Sequence, residues 1–214
     1  MASFQTEIVD LDVEVANARA SLHADELKRA SRFLRDEDRR RFVVARSRLR
    51  EILGGLLGIA PERVAFAYGA YGKPALAPAQ AESGLRFNLS HSADRALVAW
   101  THDGEIGSDL ERVRAVRFGA KIARRYFSDD EQEAFRGLSG PAWDAAFFRC
   151  WTRKEAFIKA VGDGLSHPLR SFTVPMTETV REQPVAAGWQ VSTVDAGPGY
   201  LAAVVTEREG SRAS

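Results

Sequence analysis

Hydrophobic and polar positions alternate in several short stretches of this chain and follow a helical period in the longer stretches between them. Near the start, Val9, Leu11, Val13 and Val15 are separated by Asp10, Asp12 and Glu14, the period of a half-buried strand. A helical stretch follows over residues 24–57, broken near Arg35 to Glu37 and stopped by Gly58 ahead of Pro61. Leu85, Phe87 and Leu89 then alternate with Arg86 and Asn88, and residues 96–100 form a continuous apolar run, so two strands flank a turn at 90–94. The order recurs further on. The pattern predicts a strand at 106–111, helices at 118–135 and 143–161, and strands at 172–174, 189–194 and 200–206. Together these elements predict an α+β fold, with helices packed on small, mainly antiparallel sheets.

The recurrence is also visible residue by residue. Residues 32–42 (RFLRDEDRRRF) and 125–135 (RYFSDDEQEAF) share an arginine, an aromatic, an acidic group and a final phenylalanine at the same spacing. Residues 46–54 (RSRLREILG) resemble 154–162 (KEAFIKAVG) at a wider separation, which implies an insertion in the second copy. Two similar halves, 1–103 and 104–214, are expected to meet about a pseudo-twofold axis. A cleft between such halves is a common place for a small-ligand site.

Composition narrows the field mainly by exclusion. A chain of 214 residues with 45% hydrophobic positions can bury a real core. Thirty basic and 29 acidic residues leave a formal charge of +1, so bulk charge calls for neither nucleic acid nor a membrane surface. The single cysteine, Cys150, lies in an apolar and aromatic stretch and reads as a buried packing thiol. The first residues form no basic and apolar leader, and no apolar run approaches the ~18 residues of a membrane span, which predicts a cytoplasmic protein.

Four segments carry candidate chemistry. In Ile106-Gly107-Ser108-Asp109-Leu110-Glu111, strand alternation puts Asp109 and Glu111 on one face and Ile106 and Leu110 on the other. Gly107, on the carboxylate face, leaves room where a ligand could approach the backbone. Such a pair suits magnesium carrying phosphates, or is a plain solvated face like Asp10, Asp12 and Glu14. Around residues 151–162, Phe147, Trp151, Ile158 and Val161 form a helical stripe, and Glu155 and Lys159 within the segment are neighbours one turn apart. Glu155 is either half of a surface ion pair or a partly desolvated metal ligand and proton acceptor, with Lys154 and Lys159 available to phosphate charge. Asn88-Leu89-Ser90-His91-Ser92 places hydroxyls and an imidazole at a strand-to-turn junction, suited to a phosphate or ribose. No Gly-x-Ser-x-Gly elbow accompanies it, so a hydrolase triad is poorly supported. Tyr71-Gly72-Lys73-Pro74 is a fixed turn presenting a lysine. Arg39, Arg40, Arg41, Arg46, Arg48 and Arg50 crowd one helix and read as a solvated face, although arginines also suit phosphate.

Taken in order, Gly-Lys-Pro at 72–74, Asn-Leu-Ser-His-Ser at 88–92, Gly-x-Asp-x-Glu at 107–111 and Trp-x-x-Lys-Glu-Ala-x-x-Lys-x-x-Gly at 151–162 resemble the 4′-phosphopantetheinyl transferases. The resemblance is to their long pseudo-dimeric, surfactin-synthetase-activating (Sfp-like) type, and it covers nearly the whole chain. It implies transfer of the 4′-phosphopantetheine moiety of coenzyme A to a serine of an apo acyl or peptidyl carrier protein, releasing adenosine 3′,5′-bisphosphate. It further implies that Asp109, Glu111 and Glu155 bind magnesium, with manganese as an alternative, and that Glu155 is the general base. Lys159 and Lys154 would stabilise the diphosphate. Ser90, His91 and Arg41 would hold the 3′-phosphate, Lys73 would border the adenine, and Arg29 would be a further phosphate contact.

One departure is Ser108, where the family usually has Ile or Val; its hydroxyl faces inward and needs a partner. The basic segment within 118–135, with Lys121, Arg124 and Arg125, is the expected docking side for the carrier, and the two internal halves imply a monomer. Two other classes compete. A metal-dependent phosphodiesterase or nuclease could use the same carboxylates, although a nuclease usually wants a basic track. A non-enzymatic coenzyme A binding module would be expected to lack Glu155 or Lys159, and both are present.

Overall fold

The computed structural model describes residues 4–14, 18–69 and 72–208. Strand β1 (Phe4–Asp10) opens the chain, followed by helices α1 (Ala24–Ala30) and α2 (Asp36–Leu57). A short hairpin, β2 (Phe66–Tyr68) and β3 (Pro74–Leu76), leads through α3 (Pro78–Ala81) to β4 (Arg86–Ser92) and β5 (Arg95–Thr101). The second half begins at β6 (Ile106–Arg112) and continues with α4 (Gly119–Tyr126), α5 (Asp129–Glu133) and α6 (Gly140–Val161). It ends in β7 (Gln183–Ala186), β8 (Trp189–Val194) and β9 (Tyr200–Glu207).

All ladders are antiparallel, in the orders β1-β5-β4 and β6-β9-β8-β7, with β2-β3 apart. In each of the two larger sheets, the half's first strand pairs with its last, and that last strand pairs with the one before it. This α+β arrangement of two similar halves matches the expected class. Each half has its own core, built around Leu49, Leu53, Phe87 and Val98 in the first and Phe127, Phe147, Ala156 and Phe157 in the second. A third apolar cluster joins them, with Leu97 and Ala99 of β5 meeting Ile106 and Leu110 of β6 and Ala202 and Val204 of β9. Strand β5 is therefore buried on both faces, which is why its sequence is a continuous apolar run rather than an alternation.

Several expected elements move. The first strand lies earlier than the Val9–Val15 alternation: beyond Asp10 the chain turns, with the Asp12 N–H donating to Asp10 Oδ1 at 2.9 Å and the Leu11 N–H to the Asp94 carbonyl at 2.8 Å. Val15 lies outside the described residues. The helix expected over 118–135 is two helices, because Ser128 starts a new one through a capping box with Glu131. The strand expected at 172–174 is absent because side chains take its backbone groups: Glu131 Oε1 accepts from the Val174 N–H at 2.7 Å, and Lys154 Nζ donates to the Phe172 carbonyl at 2.8 Å. The helix predicted to stop at Gly58 does so, with that residue left-handed at φ 66°. Cys150 is fully buried, and burial pushes its thiol well above the ordinary value. No helix among the described residues is long and apolar enough to cross a membrane.

The arginine run is not a solvated face throughout. Arg46 and Arg50 are buried and share buried Glu26, at 2.6 Å from each of its oxygens. Burial works against the Glu26 charge, but Arg46, the His23 N–H and Arg50 outweigh it and hold the carboxyl below its ordinary value. Glu26→Gln strands two buried guanidiniums and is expected to lower stability by about 3 kcal/mol, read as a shift in the urea midpoint at pH 7. Because the folded pKa is depressed, the contribution is present above the unfolded pKa and is lost as pH falls through the folded value. The gap between the two proteins should therefore narrow in acid.

Candidate active site

Helix α6 lies directly across β6, and Gly107 is where they touch. A Cβ built on Gly107 would overlap the Ala156 carbonyl oxygen and the Ala160 nitrogen. The space beside Gly107 is thus filled by helix backbone, which corrects the expectation that it admits a ligand. This close approach brings the carboxylate face of β6 against the Glu155–Lys159 face of α6. Lys159 Nζ donates to Asp109 Oδ1 at 2.6 Å and to Ser90 Oγ at 3.2 Å. Burial opposes the Lys159 charge, but Asp109 outweighs it and raises the pKa, so the lysine stays an ammonium.

The cluster lies on one wall of a cleft of about 670 Å³. Glu155, Ile158 and Lys159 line it from α6, Asn88, Leu89 and His91 from β4, and Gly72, Lys73 and Pro74 from the turn before β3. Arg29, Phe42, Arg46 and Tyr68 close the far end. There the Arg29 guanidinium lies over the Phe42 ring, 5.3 Å from its centroid, and Arg46 donates to the Tyr68 hydroxyl at 3.1 Å. The cleft thus has a carboxylate–ammonium wall and a basic, aromatic end, an arrangement suited to a long anionic ligand with a flat ring. Desolvation, with help from the nearby Lys159 and Arg29 charges, pushes His91 below its ordinary value.

Of the residues singled out by sequence, Glu155, Lys159, Lys73, His91 and Arg29 meet in this cleft, with Asp109 bonded to Lys159 behind them. Lys73 arrives with an additional task. Its Nζ donates to the carbonyls of Ile106, at 3.0 Å, and Lys159, at 2.6 Å, so a lysine of the first half caps the end of α6 in the second. Tyr71, expected in the same turn, lies outside the described residues.

Three expected ligand residues are not part of the cleft lining. Arg41 is held away from the cleft by Asp12, at 2.7 Å, and Glu37, at 2.6 Å. Lys154 is fully buried; its three protons go to Glu131 at 2.9 Å and to the carbonyls of Leu169 at 2.6 Å and Phe172 at 2.8 Å. It braces the chain after α6 and does not reach the cleft. Ser90 is buried on β4, which runs through the expected turn to Ser92, and its hydroxyl donates to Asp109 Oδ1 at 2.9 Å. Ser108 finds the partner it needs in Asn88, whose Oδ1 accepts from the Ser108 hydroxyl at 3.1 Å.

Among the described residues, no three acidic, histidine or cysteine side chains are gathered into a ready-made metal cage. The donor chemistry nonetheless fits a hard cation. Asp109 Oδ2 is buried without a hydrogen-bond partner, an expensive state for a carboxylate oxygen that a cation would relieve. Glu155 is half-buried; burial lifts its pKa, Lys159 pulls it back, and Asp109 and Glu111 add to the rise. Carboxylates that repel one another are what a divalent ion reconciles.

Phe42 and Tyr68 were not singled out in the sequence, and Arg46 was read there as one of a solvated run of arginines that also suit phosphate. The signal available was Arg46 at helical spacing from Phe42 on an otherwise charged helix.

Two family models match the chain. One, described as 4′-phosphopantetheinyl transferase, N-terminal, covers residues 11–103; the other, described as the 4′-phosphopantetheinyl transferase superfamily, covers 105–205. The 4′-phosphopantetheinyl transferase HetI of Nostoc sp. is 45% identical over 166 residues, spanning 78% of this chain and 70% of that protein. The 4′-phosphopantetheinyl transferase psf-1 of Bacillus pumilus is 33% identical over 183 residues, 84% of this chain and 76% of that one. Sfp of Bacillus subtilis, another 4′-phosphopantetheinyl transferase, is 28% identical over 181 residues, 83% and 78% of the two chains.

Proposed function

This chain belongs to the 4′-phosphopantetheinyl transferase superfamily, and on that premise we propose that it moves the phosphopantetheine arm of coenzyme A onto a serine of an apo carrier protein. The observation that carries this reading is the wall where Glu155 and Lys159 of α6 face Asp109 of β6, opening onto a basic and aromatic cleft. In the reaction, the serine oxygen bonds to the phosphorus bearing pantetheine and the diphosphate P–O bond breaks. Adenosine 3′,5′-bisphosphate leaves, and the serine proton passes to Glu155. Lys159 stabilises charge on the diphosphate, and Arg29, Arg46 and His91 hold the nucleotide end beside Lys73. Asp109, Glu111 and Glu155 would hold a magnesium ion, which when bound supplies Lewis-acid stabilisation of the diphosphate. Asp109 Oδ2, buried and unpartnered, supports that assignment.

The carrier is expected to dock along α4. Phe118 is 68% exposed there, Arg112 ends β6, and Arg114, Arg117, Lys121, Arg124 and Arg125 follow it with no acidic residue between 112 and 128. Lys121→Glu combined with Arg125→Glu is expected to raise KM for an acidic carrier by about tenfold, mostly in low salt, with KM for coenzyme A within about twofold. The cluster joining the halves supports a monomer assembled from 1–103 and 104–214, which light scattering tests.

The direct test incubates the protein with magnesium, coenzyme A and an apo carrier and weighs the carrier by intact mass spectrometry. A gain of one phosphopantetheine, abolished by a chelator, is the expected result. Coenzyme A binding without any gain on several unrelated carriers would leave only a binding module.

A further inference from the structure

Strands β4 and β6 lie side by side at the junction of the halves, yet belong to different sheets. Side chains join them instead of a backbone ladder. The Ser108 N–H donates to Asn88 Oδ1 at 2.9 Å, the Leu110 N–H to Ser90 Oγ at 3.3 Å, and the Arg112 N–H to Ser92 Oγ at 3.1 Å. Each step of two residues on β4 answers a step of two on β6, so the strands run parallel. At both serines the partners dictate the direction of every bond, because a backbone N–H can only donate and an ionised carboxylate can only accept. Each hydroxyl therefore accepts from β6 and donates its one proton to a carboxylate. Ser90 donates to Asp109 Oδ1 at 2.9 Å, and Ser92 to Glu111 Oε2 at 2.8 Å.

We propose that Ser90 and Ser92 are positioning residues for Asp109 and Glu111. Each hydroxyl, held by the N–H of the residue that follows the carboxylate, fixes one carboxylate oxygen and leaves the other to be presented. At Asp109 the result is visible: Oδ1 is taken by Ser90 and Lys159, and Oδ2 remains buried and unpartnered. The two serines thus act on the carboxylates of β6. The inference rests on the reading of Asp109 and Glu111 as cation ligands.

The test titrates Mn2+ into the full chain with coenzyme A present, following free Mn2+ by electron paramagnetic resonance, for wild type, Ser92→Ala and Ser92→Thr. Ser92→Ala should weaken Mn2+ binding by about tenfold, the scale seen when a group orienting a metal ligand is removed. Coenzyme A affinity without metal should stay within about twofold, and Ser92→Thr, which keeps the hydroxyl, should restore most of the loss. Should Ser92→Ala not fold, Ser92→Cys, a weaker donor and acceptor, carries the same comparison. Unchanged Mn2+ affinity in the folded variant would overturn the proposal, as would a parallel loss of coenzyme A binding. Failure of the unaltered protein to bind Mn2+ would overturn the reading of the carboxylates beneath it.

Discussion

Glu155→Gln is expected to lower kcat for carrier modification by about 10²–10⁴-fold, the range supplied by a positioned general base, while the protein becomes no less stable. The two effects have one cause. Glu155 sits half-buried beside Asp109 and Glu111, which, together with burial, raise its pKa. A carboxyl that binds its proton more readily folded than unfolded costs the fold at neutral pH, when the proton is gone. That cost disappears as pH falls below the ordinary carboxylate range. Without added metal, the variant should therefore melt at or above the wild-type temperature at pH 7, and the gap should close near pH 4. Activity lost together with stability would instead mark Glu155 as a packing residue.

The other large effect is structural. Gly107→Ala places a methyl group against the backbone of α6 at Ala156 and Ala160, where no flexible side chain can yield. Overpacking of this kind costs about 1–3 kcal/mol or more, and it forces the helix carrying Glu155 and Lys159 away from the strand carrying Asp109. A lower melting temperature with poor transfer in the folded fraction is the expected outcome. Gly55→Ala is the matched control. It lies inside α2, with nothing within 4 Å of the added carbon, and should stabilise by about 0.5–1 kcal/mol. Opposite signs from two glycine-to-alanine changes would locate the effect at the β6–α6 contact rather than in the residue type.

Local signals in the sequence reach quite far into this fold and fail for identifiable reasons. The alternations at 85–89 and 106–111, and the glycine stop at 58, translated directly because period and capping are local properties. Ser128-Asp129-Asp130-Glu131 is a capping box that was legible and outweighs the helical period running through it. The extended segment at 172–174 was not legible as loop, since the groups that satisfy its backbone, Glu131 and Lys154, come from elsewhere in the chain. The candidate site divides in the same way. Asp109 with Glu111, and Glu155 with Lys159, could be paired from strand and helix spacing, and the meeting of the two pairs was implied by the family resemblance, whereas the burial of Arg46 with Glu26, and of Lys154 with Glu131, depends on contacts between elements. A motif lysine beside a motif glutamate looks like a second phosphate ligand in one dimension. In three dimensions it points the other way round the helix.

The joint between β4 and β6 has a further consequence, for how the chain tolerates change. A backbone ladder is indifferent to most side chains, so ordinary strands drift in sequence while keeping their pairing. Here the pairing is written in Asn88, Ser90 and Ser92 themselves, and each substitution removes a rung as well as a side chain. The seam that unites the halves is thereby among the least mutable places in the molecule, and chains that keep this architecture should show their narrowest choice of residues there.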